Sequence, residues 1–347
     1  MYDLRYVNMY LTWMCNHRCI HCWVEGSPEF SESLDKETAI DFLSKALPLG
    51  LKNMKITGGE PLLFEETVSA IIDFCKKNNI DVTMETNGTL LSDKFVNDYL
   101  IDNKINISIS LNGYDRESHD NFVLYKGSFD VVLSNIKKLS ELGVSYQIIT
   151  SIYEDNVNDL EKVIELCSKY KPSIIKINPI RSIGRGSELN ETKAVDFSTL
   201  RELANQTDKY AEKYGVKVFF HGPPVVRSFS ALKCYSANSC NYLNMLSILP
   251  DKSIALCGYG GVNKDIIWDT YNLNYDLEYF WLNSKELETL RKMNEINGVC
   301  KECVHGKVCK GDCKAIAFNY YGKWDAPSPN CQNLYDTGKF PKSRLLK

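Results

Sequence analysis

Three cysteines near the start of the chain have the residue type and spacing of metal ligands. Cys15, Cys19 and Cys22 form a CxxxCxxC segment directly after an apolar run, Tyr6–Trp13, that is typical of a strand. Three thiolates on one short loop can converge on a single metal centre. Because a closed four-iron, four-sulfur (4Fe–4S) cluster takes four cysteines, a loop that supplies three leaves one iron open to a small molecule.

A zinc site is the alternative interpretation of this loop. Zinc prefers four ligands, and His17 or His21 could complete the set. A disulfide framework is disfavoured because such frameworks are typical of short secreted chains, whereas this chain has 347 residues and no recognisable secretory signal. We therefore expect a cytoplasmic protein whose clustered cysteines bind metal.

A second and larger group of cysteines lies in the C-terminal third of the chain. Eight thiols are enough for two closed clusters of four. These eight are Cys234, Cys240, Cys257, Cys300, Cys303, Cys309, Cys313 and Cys331. The two remaining cysteines, Cys75 and Cys167, lie on amphipathic helical patterns, and we expect them to be buried structural residues.

The elements that must position the first loop alternate between strand and helix patterns. This alternation predicts parallel strands with helical crossovers, arranged as an incomplete barrel or as an open doubly wound sheet. In either arrangement ligands bind beyond the C-terminal ends of the strands. The strand patterns are Tyr6–Trp13, Leu51–Gly58, Asp81–Asn87, Ile105–Asn112, Ser145–Tyr153 and Ile174–Ile180. The helical patterns between them are Asp35–Leu47, Glu65–Asn78, Ser92–Ile101, Phe129–Leu142 and Leu160–Tyr170.

Polar residues and glycines follow several of these predicted strands. Glycine allows close approach to a ligand, a carboxylate accepts hydrogen bonds from an ammonium group, and arginine pairs with a carboxylate. Each feature also has a plain structural explanation: a turn, a polar barrel interior or an exposed loop. The residues are Gly58-Gly59-Glu60-Pro61 after the second strand, Asn87 after the third, Ser108, Ser110 and Asn112 on one face of the fourth, and Arg181 and Arg185 after the sixth.

Together, the cysteine loop, the GGEP segment and the barrel pattern resemble the radical S-adenosylmethionine (SAM) superfamily. The resemblance implies that a 4Fe–4S cluster on Cys15, Cys19 and Cys22 binds SAM and cleaves it reductively to a 5′-deoxyadenosyl radical. It implies SAM contacts from Gly58, Gly59, Glu60, Asn87, Ser110, Asn112 and Arg181. The family commonly has an aromatic residue before the third cysteine, and we expect His21 to fill the same packing role.

The second cysteine group resembles the SPASM extension of radical SAM enzymes. The resemblance implies two auxiliary 4Fe–4S clusters, one on Cys234, Cys240, Cys257 and Cys313, the other on Cys300, Cys303, Cys309 and Cys331. The implied fold is α/β, a partial (β/α)6 TIM-like barrel over residues 1–222 with a cysteine-rich SPASM domain over residues 223–347. The segments Met245–Leu249 and Ser253–Leu256 predict a β-hairpin within that second domain.

The same resemblance implies hydrogen abstraction from a peptide or protein substrate. The expected products are a thioether, a carbon–carbon crosslink or an epimerised residue, as in maturases of ribosomally made peptides. We expect an electron donor such as flavodoxin or ferredoxin. Because the sequence begins almost directly at the first predicted strand, we expect either a separate leader-peptide recognition protein or a short substrate.

Two alternative substrates and one alternative protein class stay open. The enzyme could be a dehydrogenase or epimerase of a small molecule such as an aminoglycoside, or a formylglycine-forming sulfatase maturase. Sulfatase-maturing members carry an aspartate after the cysteine that corresponds to Cys257, but here Gly258 follows, which disfavours that reaction and leaves the catalytic base unassigned. A polyferredoxin-like electron carrier is disfavoured by the GGEP segment and the barrel pattern.

The overall charge and hydropathy disfavour two further classes of protein, nucleic-acid binders and membrane-spanning proteins. A net charge of -3 disfavours a nucleic-acid binder, which usually carries a basic excess. No apolar run approaches the ~20 residues needed to span a bilayer. We therefore expect no nucleic-acid partner and no membrane partner.

Overall fold

The computed structural model describes residues 2–102, 104–226 and 240–346. Within these ranges ten strands form one sheet in the order β10-β9-β8-β1-β2-β3-β4-β5-β6-β7. The strands are β1 (Tyr6–Tyr10), β2 (Asn53–Thr57), β3 (Asp81–Thr86), β4 (Asn106–Ser110), β5 (Tyr146–Ile152), β6 (Ile174–Pro179), β7 (Val218–Phe220), β8 (Met245–Ile248), β9 (Ser253–Ala255) and β10 (Ile267–Thr270).

Helices connect the strands and cover the outer face of the sheet. The helices of the first part are α1 (Lys36–Ala46), α2 (Glu65–Lys77), α3 (Asp93–Phe95, continued by a π-helical turn at Val96–Leu100), α4 (Arg116–Val123), α5 (Ser128–Glu141), α6 (Leu160–Ser168), α7 (Gly186–Lys193) and α8 (Phe197–Tyr214). Those of the C-terminal part are α9 (Leu277–Asn283), α10 (Lys285–Lys292), α11 (Val299–Glu302), α12 (Gly306–Cys309), α13 (Lys314–Tyr321) and α14 (Pro329–Asp336). Among the described residues, none of the helices combines the length and apolarity needed to cross a membrane.

Strands β1 to β7 pair in parallel, each with the next. All six strands expected from the sequence are present, and their bounds differ from the expected ones by a few residues at the ends. This arrangement confirms the predicted partial barrel. Its outward side chains, such as Ile107 and Ile109, are fully buried beneath the helices, as is Cys75 on α2. Cys167 on α6 is buried too, so the two cysteines outside the two cysteine groups are both buried, as expected.

The barrel interior is polar. The Lys55 ammonium lies 2.7 Å from the Glu85 carboxylate, and the Thr57 hydroxyl donates to the same carboxylate. Burial alone would raise the pKa of Glu85, but Lys55, the nearby Lys176 and Thr57 together hold it below its usual value. Ser108 belongs to this interior and donates to Gln147 at 3.4 Å, so it has the structural role that the sequence left open.

The predicted hairpin is present, and it extends the barrel sheet. Strand β8 pairs in parallel with β1, β9 pairs antiparallel with β8, and β10 pairs antiparallel with β9. All four residues of β8 are buried, so this strand can lie only in the interior of a sheet. The sheet therefore continues past residue 222, near which the boundary between the two domains is predicted.

Candidate functional site

The first cysteine loop is fixed at the C-terminal end of β1 by backbone hydrogen bonds. The Cys15 N–H donates to the Ser27 carbonyl, and the Ser27 N–H donates to the Trp13 carbonyl. Farther along the loop, the Ile20 N–H donates to the carbonyl of Phe122 at the end of α4. The loop is thus anchored on both sides by backbone hydrogen bonds.

The three thiols of this loop are close enough to repel one another as thiolates. Burial raises the pKa of Cys19 well above its usual range, and the neighbouring Cys22 and Cys15 thiols raise it further. Burial likewise raises the pKa of Cys15 to about 12. Such buried, mutually repelling thiols suit a metal centre, which removes their protons and balances their charge.

Arg185 holds the loop from the far side of the barrel. Its Nε donates to the Cys19 carbonyl at 2.9 Å and its second terminal nitrogen donates to the Gly26 carbonyl at 2.8 Å. The Arg185 backbone N–H also donates to the Cys22 carbonyl. Of the two arginines after β6, Arg185 therefore supports the first loop, whereas Arg181 lies near the thiols of Cys257 and Cys313.

The GGEP segment after β2 packs against the cysteine loop so closely that a side chain would not fit between them. Gly58 has φ +130°, and the Gly59 N–H donates to the Thr12 carbonyl at 2.7 Å. A Cβ on Gly59 would stand 2.1 Å from the Met14 carbonyl oxygen, a distance that no side chain tolerates. These glycines are therefore required for the contact between the two loops.

Replacing Gly59 by alanine is expected to lower the iron that the first loop binds. The methyl group would push the loop away from β2 and break the hydrogen bond to Thr12. Iron content after anaerobic reconstitution measures the effect. Gly26→Ala is the control, because its methyl group would meet its nearest atoms at 3.3 Å and should cost much less. An iron content equal to that of the wild type in Gly59→Ala would contradict the close approach of the GGEP segment to the cysteine loop.

Glu60 is fully buried and its carboxylate already accepts three hydrogen bonds. The donors are the Leu62 N–H at 3.1 Å, the Thr86 hydroxyl at 2.7 Å and the Asn87 N–H at 2.7 Å. Burial raises the pKa of Glu60 to about 6, although these donors oppose the shift. Glu60 thus ties the end of β2 to the end of β3, a structural role beside the contact to SAM that the sequence predicts.

Glu60→Ala is expected to lower the melting temperature markedly. It leaves three donors without their acceptor, and each buried donor left unpaired costs about 1–3 kcal/mol. Thermal unfolding followed by circular dichroism gives the result. The matched control is Glu66→Ala, which removes a glutamate side chain that is 88% exposed. Equal melting temperatures for the two variants would contradict this role of Glu60.

The other residues predicted to contact SAM lie at the same edge of the barrel. They differ in their hydrogen bonds and in their exposure. The Asn87 side chain donates to Asn16 at 2.7 Å and lies 3.9 Å from the Cys15 sulfur. Asn112 is buried, and its side-chain oxygen accepts from the Ser151 N–H at 2.9 Å, which links β4 to β5. Ser110 ends β4 and is partly exposed.

Aromatic side chains connect the first loop to the C-terminal part of the chain. The His21 ring packs against Phe122 at 4.7 Å between centroids. Trp23 lies 5.9 Å from the rings of both Tyr10 and Tyr259. Because Tyr259 follows Cys257 by two residues, this packing holds the first cysteine loop beside the second cysteine group.

Within the second group, Cys240, Cys257 and Cys313 form one set. Burial raises the pKa of Cys257, and the Cys313 and Cys240 thiols raise it further. Burial also raises the pKa of Cys240 to about 12, again with a contribution from Cys313. The fourth predicted member, Cys234, lies outside the described residues.

The remaining four cysteines line a single cavity. They are Cys300, Cys303, Cys309 and Cys331. Burial raises the pKa of Cys331 well above its usual range, and Cys309 and Cys300 raise it further. The seven described thiols of the second group therefore lie in two neighbourhoods. Among the described residues, no three His, Cys, Asp or Glu side chains are grouped as the ligands of one metal ion would be.

A buried lysine that the sequence analysis missed lies between these two neighbourhoods. Burial lowers the pKa of Lys314 to about 8, while the thiols of Cys300, Cys309 and Cys313 and the Asp325 carboxylate oppose that shift. Its place directly after Cys313, at the start of an apolar helix, is the signal that could have found it.

A cavity of about 430 Å³ opens beyond the ends of β5, β6 and β7. Its wall includes Arg181 and His221 from the barrel, and Asn319 and Asn330 from the C-terminal helices. This volume falls in the range of ligand sites, and the polar side chains can form hydrogen bonds with a bound molecule. The position fits the expectation that ligands bind beyond the C-terminal strand ends.

Comparison with known proteins identifies the family of the barrel. Residues 9–167 match the model of the radical SAM superfamily. The chain is 25% identical to the AdoMet-dependent heme synthase of Methanosarcina barkeri, over 95% of this chain and 96% of that protein. It is 23% identical to the mycofactocin maturase MftC of Mycolicibacterium smegmatis, over 96% of this chain and 84% of that protein.

The fold is also similar to a solved structure over most of its length. SuiB of Streptococcus suis with bound S-adenosylmethionine superposes with a TM-score of 0.77 at 18% identity, covering 95% of this chain and 77% of SuiB. SuiB with its precursor peptide SuiA superposes with a TM-score of 0.75 and covers 94% of this chain and 75% of SuiB. The similarity extends through the C-terminal cysteine-rich part of the chain.

Proposed function

Since this chain is a radical SAM enzyme, with its radical SAM domain at residues 9–167, we propose that it modifies a peptide or protein substrate by hydrogen abstraction. The family implies a 4Fe–4S cluster and SAM as cofactors. We assign the cluster to Cys15, Cys19 and Cys22. The buried, mutually repelling thiols of this loop support the assignment.

The residues around the loop have separate tasks in this proposal. When bound, the cluster and SAM supply a one-electron cleavage that yields methionine and a 5′-deoxyadenosyl radical. Arg185 and the GGEP segment hold the loop in shape, and Asn87 lies beside the Cys15 sulfur where it can contact SAM. Gly58, Gly59, Glu60, Ser110 and Asn112 stay proposed contacts at the same edge. Arg181 stays one as well, and its charge also lowers the pKa of the Cys257 and Cys313 thiols.

We assign the second cysteine group to two auxiliary 4Fe–4S clusters. The cavity lined by Cys300, Cys303, Cys309 and Cys331 supports one of them. The neighbouring Cys240, Cys257 and Cys313, with Cys234 as the fourth ligand, would hold the other. Clusters near the substrate can accept an electron from it, which turns hydrogen abstraction into a net oxidation. An electron donor such as flavodoxin or ferredoxin would supply electrons to the first cluster.

One observation favours a peptide as the substrate. The chain is similar to the maturase MftC along 96% of its length, including the C-terminal cysteine group. The cavity beside Arg181 has amide side chains, Asn319 and Asn330, that can pair with a peptide backbone. The chain is also similar to a heme synthase over 95% of its length, which makes a small molecule the second candidate substrate.

Mass spectrometry of candidate substrates distinguishes these functions. The reduced, anaerobic enzyme is incubated with SAM in heavy water, together with peptides encoded beside its gene. A thioether or carbon–carbon crosslink removes two hydrogens from the peptide, whereas epimerisation exchanges one hydrogen for deuterium. Turnover of a tetrapyrrole or an aminocyclitol, with every peptide unchanged, would refute the proposed function.

A further inference from the structure

Lys314 is buried in a way that its own contacts do not explain. Its side chain is 0% exposed, and its Nζ has no hydrogen-bond partner among the described residues. The nearest aromatic contact is the Tyr242 ring, whose centroid is 5.9 Å from Nζ. A buried ammonium without hydrogen bonds is strongly unfavourable unless another negative group compensates for it.

The position of Lys314 on its helix adds to this cost. It is the first residue of α13, where the helix dipole favours anions and disfavours cations. Long helical side chains point back towards the N-terminus, which directs this one over the preceding turn. Gly311 in that turn leaves room for it, since a Cβ there would come within 3.1 Å of the Lys314 Nζ.

The groups whose charge acts on the ammonium include thiols of both sets of cysteines. Gly311, which lies beside the Lys314 Nζ, lines the same cavity as Cys300 and Cys309. Cys300 and Cys309 come from the set that lines the cavity, whereas Cys313 belongs to the set with Cys240 and Cys257. The Asp325 carboxylate is also near, but it accepts from the Asn297 side chain at 2.6 Å and forms no salt bridge with Lys314 among the described residues. Cys300 and Cys309 contribute most of the negative charge that would balance Lys314, and Asp325 and Cys313 add to it.

We propose that Lys314 is a positioning residue whose ammonium is the counter-charge shared by the two auxiliary clusters, and that it raises the reduction potentials of both. This inference rests on the assignment of auxiliary clusters under the proposed function. A cluster with four thiolate ligands carries net negative charge, and reduction adds one more. A fixed cation in a buried site of low dielectric constant favours the reduced state, because charges interact more strongly there than in water.

The chain offers variants that separate charge from packing. Lys314→Met keeps the length of the side chain and removes the charge, and because Nζ makes no hydrogen bond, no partner is left unsatisfied. Lys314→Arg keeps the charge. Lys310→Met is the matched control, because it removes an exposed lysine next to Cys309.

The test is a redox titration of the reconstituted holoenzyme, followed by electron paramagnetic resonance and with iron counted in each variant. In Lys314→Met both auxiliary midpoint potentials should shift to more negative values. Those of Lys314→Arg and Lys310→Met should stay near wild type, and the cluster whose signal responds to SAM should keep its potential in all variants. Loss of auxiliary iron in Lys314→Met but not in Lys314→Arg would also support the counter-charge.

Three results would overturn the inference. Unchanged potentials in a fully loaded Lys314→Met enzyme would show that the ammonium does not act on the clusters. A shift in only one cluster would show that the charge is not shared. Loss of iron in both Lys314→Met and Lys314→Arg would indicate a packing role. The iron content of the wild type is measured before any variant is compared. A wild type without auxiliary clusters would contradict the proposed function itself, independently of Lys314.

Discussion

Cys19→Ala is expected to reduce SAM cleavage below detection while the C-terminal cysteines keep their iron. Cys19 lies between the other two thiols of the loop and is close to both. Removing it leaves two protein ligands, too few to hold a cluster against loss of iron. The measurement is 5′-deoxyadenosine formed by the dithionite-reduced protein, separated by chromatography, together with iron per chain.

Cys75→Ala is the control for this variant. Cys75 is fully buried on α2 and belongs to neither cysteine group, so its loss should leave both iron and cleavage near wild type. Should Cys19→Ala still produce 5′-deoxyadenosine at the wild-type rate, the radical-generating site would have to be sought elsewhere in the chain.

Cys309→Ala is expected to separate SAM cleavage from substrate modification. Cys309 lines the cavity with three other thiols, and burial together with the neighbouring Asp312 and Cys300 raises its pKa to about 12. Without it the second auxiliary cluster should be lost, and the short helices α11 and α12 should become sensitive to proteolysis because the metal joins them. SAM cleavage should continue, but the peptide should be released without its oxidative modification.

Iron counting, limited proteolysis and peptide mass spectrometry on one preparation test this expectation. Cys167→Ala, which alters a buried cysteine on α6, should leave all three results unchanged. Full iron and full peptide modification in Cys309→Ala would remove Cys309 from the ligands and the second auxiliary cluster from the mechanism.

The sequence predicts the barrel well because each strand repeats the same local pattern. Runs such as Ile174–Pro179 are apolar, of strand length and followed by turn residues, so their type follows from neighbours in sequence. The parallel pairing of β8 with β1 does not follow, since these strands are separated by the whole barrel. A hairpin can be predicted from its own residues, but the strand beside which it packs depends on tertiary contacts.

The sequence predicts the candidate metal ligands of the site better than the residues that hold those ligands in place. Cysteine spacing identifies candidate metal ligands directly, whereas the sequence does not distinguish Arg181 from Arg185. The structure shows the physical reason in Gly184, which has φ +51° and lies where a Cβ would meet the Trp23 carbonyl at 2.6 Å. This close approach turns the chain so that Arg185 reaches the Cys19 carbonyl.

Glu60 and Lys314 show a second limit of the sequence. The GGEP segment suggests a ligand contact for Glu60, but its three donors come from the ends of two different strands. Lys314 resembles any surface lysine until the fold buries it between two sets of thiols. In both residues the decisive property is what surrounds the charge, which only the folded chain defines.

The proposed radical chemistry requires that SAM binds an iron to which no thiol of this chain is bound. Electron–nuclear double resonance on the reduced enzyme, with SAM carrying nitrogen-15 in its amino group, measures this contact. We expect hyperfine coupling between that nitrogen and the cluster on Cys15, Cys19 and Cys22, and loss of the coupling in Cys19→Ala. A cluster signal that is unaffected by SAM, with no coupling to the labelled nitrogen, would contradict this expectation.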